Sequence, residues 1–330
     1  MTVSAKNRQP GKHPERELRV SLPSRIHAYL GERFPLFANG LLIFSFYSSN
    51  QFLAHALSQP GEPMRYNLNS VLGCLTVLCF FLHMRIFDDH KDYAADCRYF
   101  PNRILQRGTV TLRELKILAA FAIAYEFLLA SICGPAAFIS LLAAFAYSVL
   151  MLKEFFVGDW LKKRFLLYAS IHMLIMPLLA MTVWGFATKQ YFWQIPSWYW
   201  LYSLVSYFLA FNWEISRKIR VPEDEVEGLD SYSRLFGTFG AAYLVLWNRV
   251  ISTVLVAVVA VHLGLSIWFY VLLLTLFLAC LFGFFQYRFQ ASAKTARRME
   301  IYAAIYIVAF DLALAVELGR TFGIRISGEL

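Results

Sequence analysis

Asp88, Asp89, Asp92 and Asp96 stand together in RIFDDHKDYAAD, residues 85–96, directly after the apolar run NSVLGCLTVLCFFLHM. Continued as a helix at about 100° per residue, this stretch puts Arg85, Asp89, Asp92 and Asp96 within an arc of roughly 60°, with Asp88 at its edge. Like charges three or four residues apart repel by about 0.2–0.5 kcal/mol per pair. Such a stripe calls for a cation. Carboxylate oxygens suit Mg2+, which is commonly held by one or two carboxylates and completed by substrate phosphates. The chemistry on offer is capture of a phosphorylated ligand through bridging magnesium. The alternative is a solvated acidic helix end paired with Arg85, Lys91 and Arg98, and spacing alone does not separate the two. The D-x-[DN]-x-[DN]-G spacing of a calcium loop is absent.

A second acidic window follows in FNWEISRKIRVPEDEVEGLDSYSRLFG, residues 211–237. Glu214, Arg217 and Lys218 share a helix face at i, i+3 and i+4. Pro222 stops that helix and biases Val221 towards extended backbone. Glu223, Asp224, Glu225 and Glu227 crowd the loop, and Gly228 permits a tight turn. A salt-bridged loop is the simpler reading. Paired with the first window, these acids would grip two magnesium ions, with Arg and Lys on the remaining phosphate oxygens.

The elements that must position these residues are membrane helices. The chain has 330 residues, 58% hydrophobic, 17% aromatic and 16% charged, where soluble domains carry about 25% charged residues. Apolar stretches of about 20 residues recur along it, as in an integral membrane protein. Nine spanning helices are expected, near 35–57, 69–87, 113–131, 135–152, 165–186, 196–216, 238–262, 264–286 and 299–319. Residues 1–33 read as a polar tail and 34–330 as one transmembrane domain. The N-terminus, MTVSAKNRQPGKHPERELRV, lacks the apolar centre of a secretory signal.

Charge sets the expected orientation. Lys6, Arg8, Lys12, Arg16, Arg19, Arg25 and Arg33 precede the first span, and the loops after spans 2, 4, 6 and 8 are rich in Lys and Arg. The alternate loops hold only Arg65 and Lys189, with Arg320 and Arg325 near the C-terminus. The positive-inside rule puts the N-terminus and both acidic windows on the cytoplasmic side and the C-terminus outside. The net charge of +9 therefore points to anionic lipid or an anionic substrate, not to nucleic acid. The five cysteines show no CxxC spacing and no zinc pattern.

Taken together, the residues resemble the UbiA superfamily of intramembrane prenyltransferases. Its first signature, NDxxDxxxD, is similar to Asp88-Asp89-His90-Lys91-Asp92-Tyr93-Ala94-Ala95-Asp96, with Asp88 in the place of Asn. NRILQRGTVT, residues 102–111, is similar to the Arg-Pro-Leu-x-x-Gly element that follows it, with Arg103 and Gly108 in register. VPEDEVEGLDSYSRLFG matches the downstream half of the second signature at Asp224, Gly228 and LFG 235–237. Its upstream half departs: Arg220 stands where the first Asp of DxxxD is expected, and Glu214 lies a turn or two earlier.

The resemblance implies nine helices around a central cavity, with Mg2+ as cofactor. It also implies an isoprenoid diphosphate donor, ionised to an allylic cation among aromatic side chains, and an aromatic or lipid acceptor. The implied metal ligands are Asp88, Asp89, Asp92, Asp96, Asp224 and Glu225. Arg85, Arg103, Lys153, Lys218, Arg217 and Arg220 are the candidate diphosphate partners. Asp89, Asp92, Lys153 and Glu214 are the candidate catalytic residues. Lys153 reads equally as a positive-inside anchor. Glu126, Asp311 and Glu317 lie within or near spans, where acids are functional candidates. His83 and His172 read as packing or polar-network residues.

Three alternatives remain at this level. A terpene cyclase of the same superfamily would quench the cation within its own chain. Transfer from a lipid or sugar diphosphate would keep the fold. A transporter would place ionisable residues near the midplane of broken, repeated helices, and no internal repeat is visible.

Overall fold

The computed structural model describes residues 21–327, so the tail basic residues Lys6 to Arg19 lie outside the described residues. The described chain is a bundle of antiparallel helices with one two-stranded sheet. In order, the helices are α1 Leu22–Arg33, α2 Leu36–Ser58, α3 Leu68–Lys91, α4 Tyr93–Tyr99, α5 Leu112–Cys133 and α6 Pro135–Leu152. Then come α7 Gly158–Lys162, α8 Phe165–Met173, α9 Ile175–Thr188, α10 Ser197–Ser216, α11 Tyr232–His262, α12 Ile267–Phe289 and α13 Ala293–Phe322.

Local signals in the sequence start and stop these elements. Asn67 opens α3 with a capping box: its Oδ1 accepts from Ser70 N at 3.2 Å, and Ser70 Oγ accepts from Asn67 N at 3.1 Å. Thr111 and Glu114 do the same for α5. Gly134 ends α5 at φ 115°, and Pro135 opens α6, the usual division of labour between the two residue types. The expected span 165–186 divides at Leu174 into α8 and α9, three residues before Pro177.

Seven stretches are long and apolar enough to cross a membrane: α3, α5, α6, α8 with α9, α11, α12 and α13. The expected count of nine is therefore not reached by length and composition. The two that fall short are α2 and α10, which do form helices of 23 and 20 residues. Their polar residues explain the difference. Ser48, Ser49, Asn50 and Gln51 in α2, and Asn212 and Glu214 in α10, are buried against other helices, so both elements carry a polar inner face.

Helix packing closes the bundle. The largest fully buried side chains include Trp184, Tyr47, Tyr199, Tyr202, Phe80 and Phe310. Gly185 lets α9 approach α6: a Cβ there would lie 2.8 Å from the Ala136 carbonyl oxygen, the small-residue contact common between membrane helices. Outward faces are apolar, with Phe121 and Val261 both 71% exposed. Strands β1 Met64–Tyr66 and β2 Ile324–Ile326 pair in parallel, with Met64 opposite Ile324. They tie the α2–α3 connection to the end of α13.

Candidate active site

The first acidic window does not continue as one straight helix. α3 ends at Lys91, Asp92 caps it at φ −93° and ψ 4°, and α4 restarts at Tyr93. Main-chain bonds cross the joint, Asp92 N to Asp88 O and Asp96 N to Asp92 O, both at 2.8 Å. The helical pitch therefore survives a bend, and the four aspartates stay at one end of the bundle.

Their surroundings differ sharply. Asp89 is 1% exposed and is held by three donors: Tyr29 Oη at 2.7 Å, Arg33 Nη2 at 2.6 Å and Arg85 Nη2 at 2.6 Å. Asp96 is also buried and accepts from Arg103 Nη1 at 2.7 Å, with Arg33 Nη2 at 3.7 Å. Arg33 thus bridges two of the acids. The half-exposed Asp88 meets only Lys91, at 3.4 Å, and Lys91 in turn donates to Tyr168 Oη at 2.9 Å. Asp92 faces outward. Its carboxyl is pushed above the ordinary value by loss of surrounding water and by the charges of Asp88 and Asp96, against the pull of Lys91 and Arg85.

The second window is built at the end of α10. Buried Glu214 accepts from Arg217 Nε at 2.6 Å and pairs with Lys218 Nζ at 2.7 Å. The loop is then pinned from α11: Tyr232 N donates to Lys218 O at 3.3 Å, and Arg220 N donates to Ser233 Oγ at 2.9 Å. Pro222 to Asp224 form a single 3-10 turn with Glu223 and Asp224 exposed. Glu225 accepts from Ser231 Oγ at 2.5 Å, and the same hydroxyl caps α11.

The two windows meet. Gly228, at φ +80°, sits against the Tyr99 hydroxyl of α4, and a Cβ at that position would collide with it. Arg217 lies close enough to Arg85 and Asp88 for each charge to act on it. Segments more than a hundred residues apart in the chain therefore face one another at a single end of the bundle.

Not every expected residue joins them. Lys153 is exposed at the end of α6, beside a turn in which Glu154, Phe155 and Phe156 are left-handed at φ 48°, 53° and 60°. Lys91 is the lysine whose charge acts most on Asp92; Lys162, at the end of α7, pairs with Glu154 at 2.9 Å. Arg220 keeps Nη1 buried without a partner. Tyr29, Arg33 and Lys162 went unrecognised as site residues. For α1 a signal was present: Arg25, Tyr29 and Arg33 recur every four residues and so share one helix face. Arg25 anchors that helix with two bonds to Glu114, at 3.0 and 2.7 Å.

The other buried acids have partners of their own, and Glu317 also lies 3.7 Å from Arg320 Nε. Glu126 meets His83 Nδ1 at 2.8 Å, and His83 Nε2 lies 3.2 Å from Ser148 Oγ. Asp311 accepts from Ser49 at 2.8 Å and Tyr202 at 3.1 Å. Glu317 accepts from Ser266 N at 2.8 Å. His172 stacks on Tyr168 with ring centroids 4.1 Å apart.

Among the described residues, no three His, Cys, Asp or Glu side chains form a ready-made metal cage. Asp92 and Asp224 are exposed, and Asp88 is half-exposed with Lys91 at 3.4 Å. Arg85 Nε is buried without a partner beside Asp88 and Asp92, a donor left over for an anion.

The model of the UbiA prenyltransferase family matches residues 42–308. Solved structures agree in fold. A UbiA homologue from Aeropyrum pernix K1 superposes with a TM-score of 0.62 at 18% identity, covering 82% of this chain and 96% of that one. A UbiA homologue from Archaeoglobus fulgidus bound to GPP and Mg2+ gives 0.55 at 15% identity, covering 88% and 99%. A digeranylgeranylglyceryl phosphate synthase gives 0.60 at 18% identity, covering 90% and 99%. No curated protein matches the chain by sequence.

Proposed function

We infer from membership of the UbiA prenyltransferase family, to which this chain belongs, that it transfers a prenyl group from an isoprenoid diphosphate to an acceptor within the membrane. The observation that carries the reading is the meeting of the two windows, with the Tyr99 hydroxyl against Gly228 and the charge of Asp88 acting on Arg217. A pyrophosphate needs cations on several sides, and this end of the bundle supplies them. The A. fulgidus homologue is bound to GPP and Mg2+ in one structure and to DMAPP and Mg2+ in another, which supports the donor class.

In this reading Asp88 and Asp92, with Asp224 and Glu225 from the second window, would hold Mg2+ together with the diphosphate. The metal supplies charge that stabilises the leaving group. Asp89 and Asp96 work at one remove: they orient Arg33, Arg85 and Arg103 so that the free N–H groups point at phosphate oxygens. Glu214 orients Arg217 and Lys218 in the same way, and Arg220 and Lys153 stand at the margin. The C–O bond to the prenyl C1 breaks with its electron pair on the diphosphate. The acceptor atom then bonds to C1, and its proton passes to the released diphosphate. Positive charge in the loops argues for this end being cytoplasmic, with the N-terminus on the same side and the C-terminus outside.

The test is mass spectrometry of products from a panel of prenyl diphosphates, with and without aromatic and lipid acceptors. A prenylated acceptor formed only with Mg2+ is expected. A cyclic hydrocarbon or terpene alcohol made from the donor alone would replace this reading with a cyclase.

A further inference from the structure

Arg249 lies near the middle of α11, deep in the bundle, and is 1% exposed. Its Nη2 donates to Asn212 Oδ1 at 2.6 Å. The Asn212 amide is itself fixed, because Nδ2 donates to Val245 O at 2.7 Å. The guanidinium stacks on Tyr306, with Cζ 3.7 Å from the ring centroid. A hydrogen bond between Tyr306 Oη and Thr253 Oγ1, at 3.1 Å, holds that ring. Two donors are left over: Nε and Nη1 are buried and unpartnered.

No carboxylate among the described residues pairs with Arg249. Glu214, the acid nearest to Asn212 in sequence, is committed to Arg217 and Lys218. Cys280 Sγ lies 3.7 Å from Tyr302 O. A permanently charged guanidinium at this depth is costly without a counter-charge. Beside it is a cavity of about 20 Å³, walled by Val245, Leu246, Cys280, Phe284, Met299 and Ala303.

We propose that this cavity is a monovalent-anion site, filled by a single chloride-sized ion beside Nε and Nη1 of Arg249. Size selects the class. The space holds about one small atom, too little for a carboxylate or phosphate with the molecule attached to it. Charge selects it over water, because a water would satisfy the donors and leave the positive charge standing. The apolar walls add no competing acceptor. The ion neutralises Arg249 and fixes the junction of α10, α11, α12 and α13. This inference is independent of the prenyl-transfer reading.

The test is thermal stability of the purified wild-type protein, moved from sodium gluconate to sodium chloride at constant ionic strength. Chloride raises the melting temperature saturably by about 3 °C, and bromide does the same. Arg249→Met, similar in length and uncharged, loses the dependence. No halide effect in the wild type, or an equal effect in Arg249→Met, overturns the proposal. If Arg249→Met does not fold, wild-type crystals grown in sodium bromide decide. An anomalous peak beside Nε and Nη1 supports the site, and a cavity without one rejects it. A rise with anionic lipid but not with halide assigns the pocket to a lipid headgroup and also rejects it.

Discussion

Arg33 and Asp89 are 56 residues apart in sequence, yet Arg33 Nη2 lies 2.6 Å from Asp89 Oδ1. The first helix is thereby fastened to the first acidic window. The same contact separates aspartates that hold the structure from aspartates left free for a ligand.

Asp89→Ala strands two arginines and a tyrosine around a buried hole. Removing one partner from a buried ion pair costs about 3–5 kcal/mol, so a large fall in melting temperature is expected. Asp92→Ala removes an outward carboxylate and leaves the melting temperature unchanged, while turnover falls about 100-fold or more. Equal melting losses in the two variants would contradict this division.

Metal removal follows the same logic. Excess EDTA stops turnover without unfolding the protein, because the described residues form no metal cage that the fold depends on. Added Mg2+ restores the rate. Turnover that continues in EDTA would defeat the magnesium reading.

Gly228→Ala combines a left-handed backbone at φ +80° with a collision against Tyr99. The backbone strain alone is about 1–2 kcal/mol. The variant is expected to raise KM for the diphosphate, and Tyr99→Phe in the same chain to recover part of the loss by removing the hydroxyl. No recovery in the double variant would mean that the two loops do not communicate through this contact.

Lys162 and Lys153 separate two views of the loop after α6. Both are exposed, but Lys162 pairs with Glu154 at 2.9 Å, whereas Lys153 stands at the end of α6. Lys162→Ala is expected to raise KM about tenfold, the worth of a charge-assisted contact, and Lys153→Ala to change it little. Because the Lys162 pair is solvent-exposed, neither variant should shift melting by much. A reversed order would restore Lys153 as the phosphate partner.

The two acidic windows were legible because their information is local. Charge, spacing, Pro222 and Gly228 all lie within a few turns of one another, and loop polarity put both windows at one end. What the sequence hid was pairing between distant segments. Nothing near Asp89 announces Tyr29 or Arg33, and a lysine nine residues beyond Lys153 cannot be preferred without the intervening turn. The spans show the same limit: seven of the nine expected pass by length and apolarity, while α2 and α10 form helices that do not. The polar run Ser48 to Gln51 lowers the apolarity of α2, and only the packing reveals that it faces inward.

The short pairing of Met64–Tyr66 with Ile324–Ile326 works as a suture at the end of the bundle remote from the acids. With α2 and α13 stitched together there, any parting of the two must begin at the opposite end and splay like the jaws of tweezers. Cutting the thread before Ile324 would free the handle end as well and turn a hinged pair of helices into a loose one.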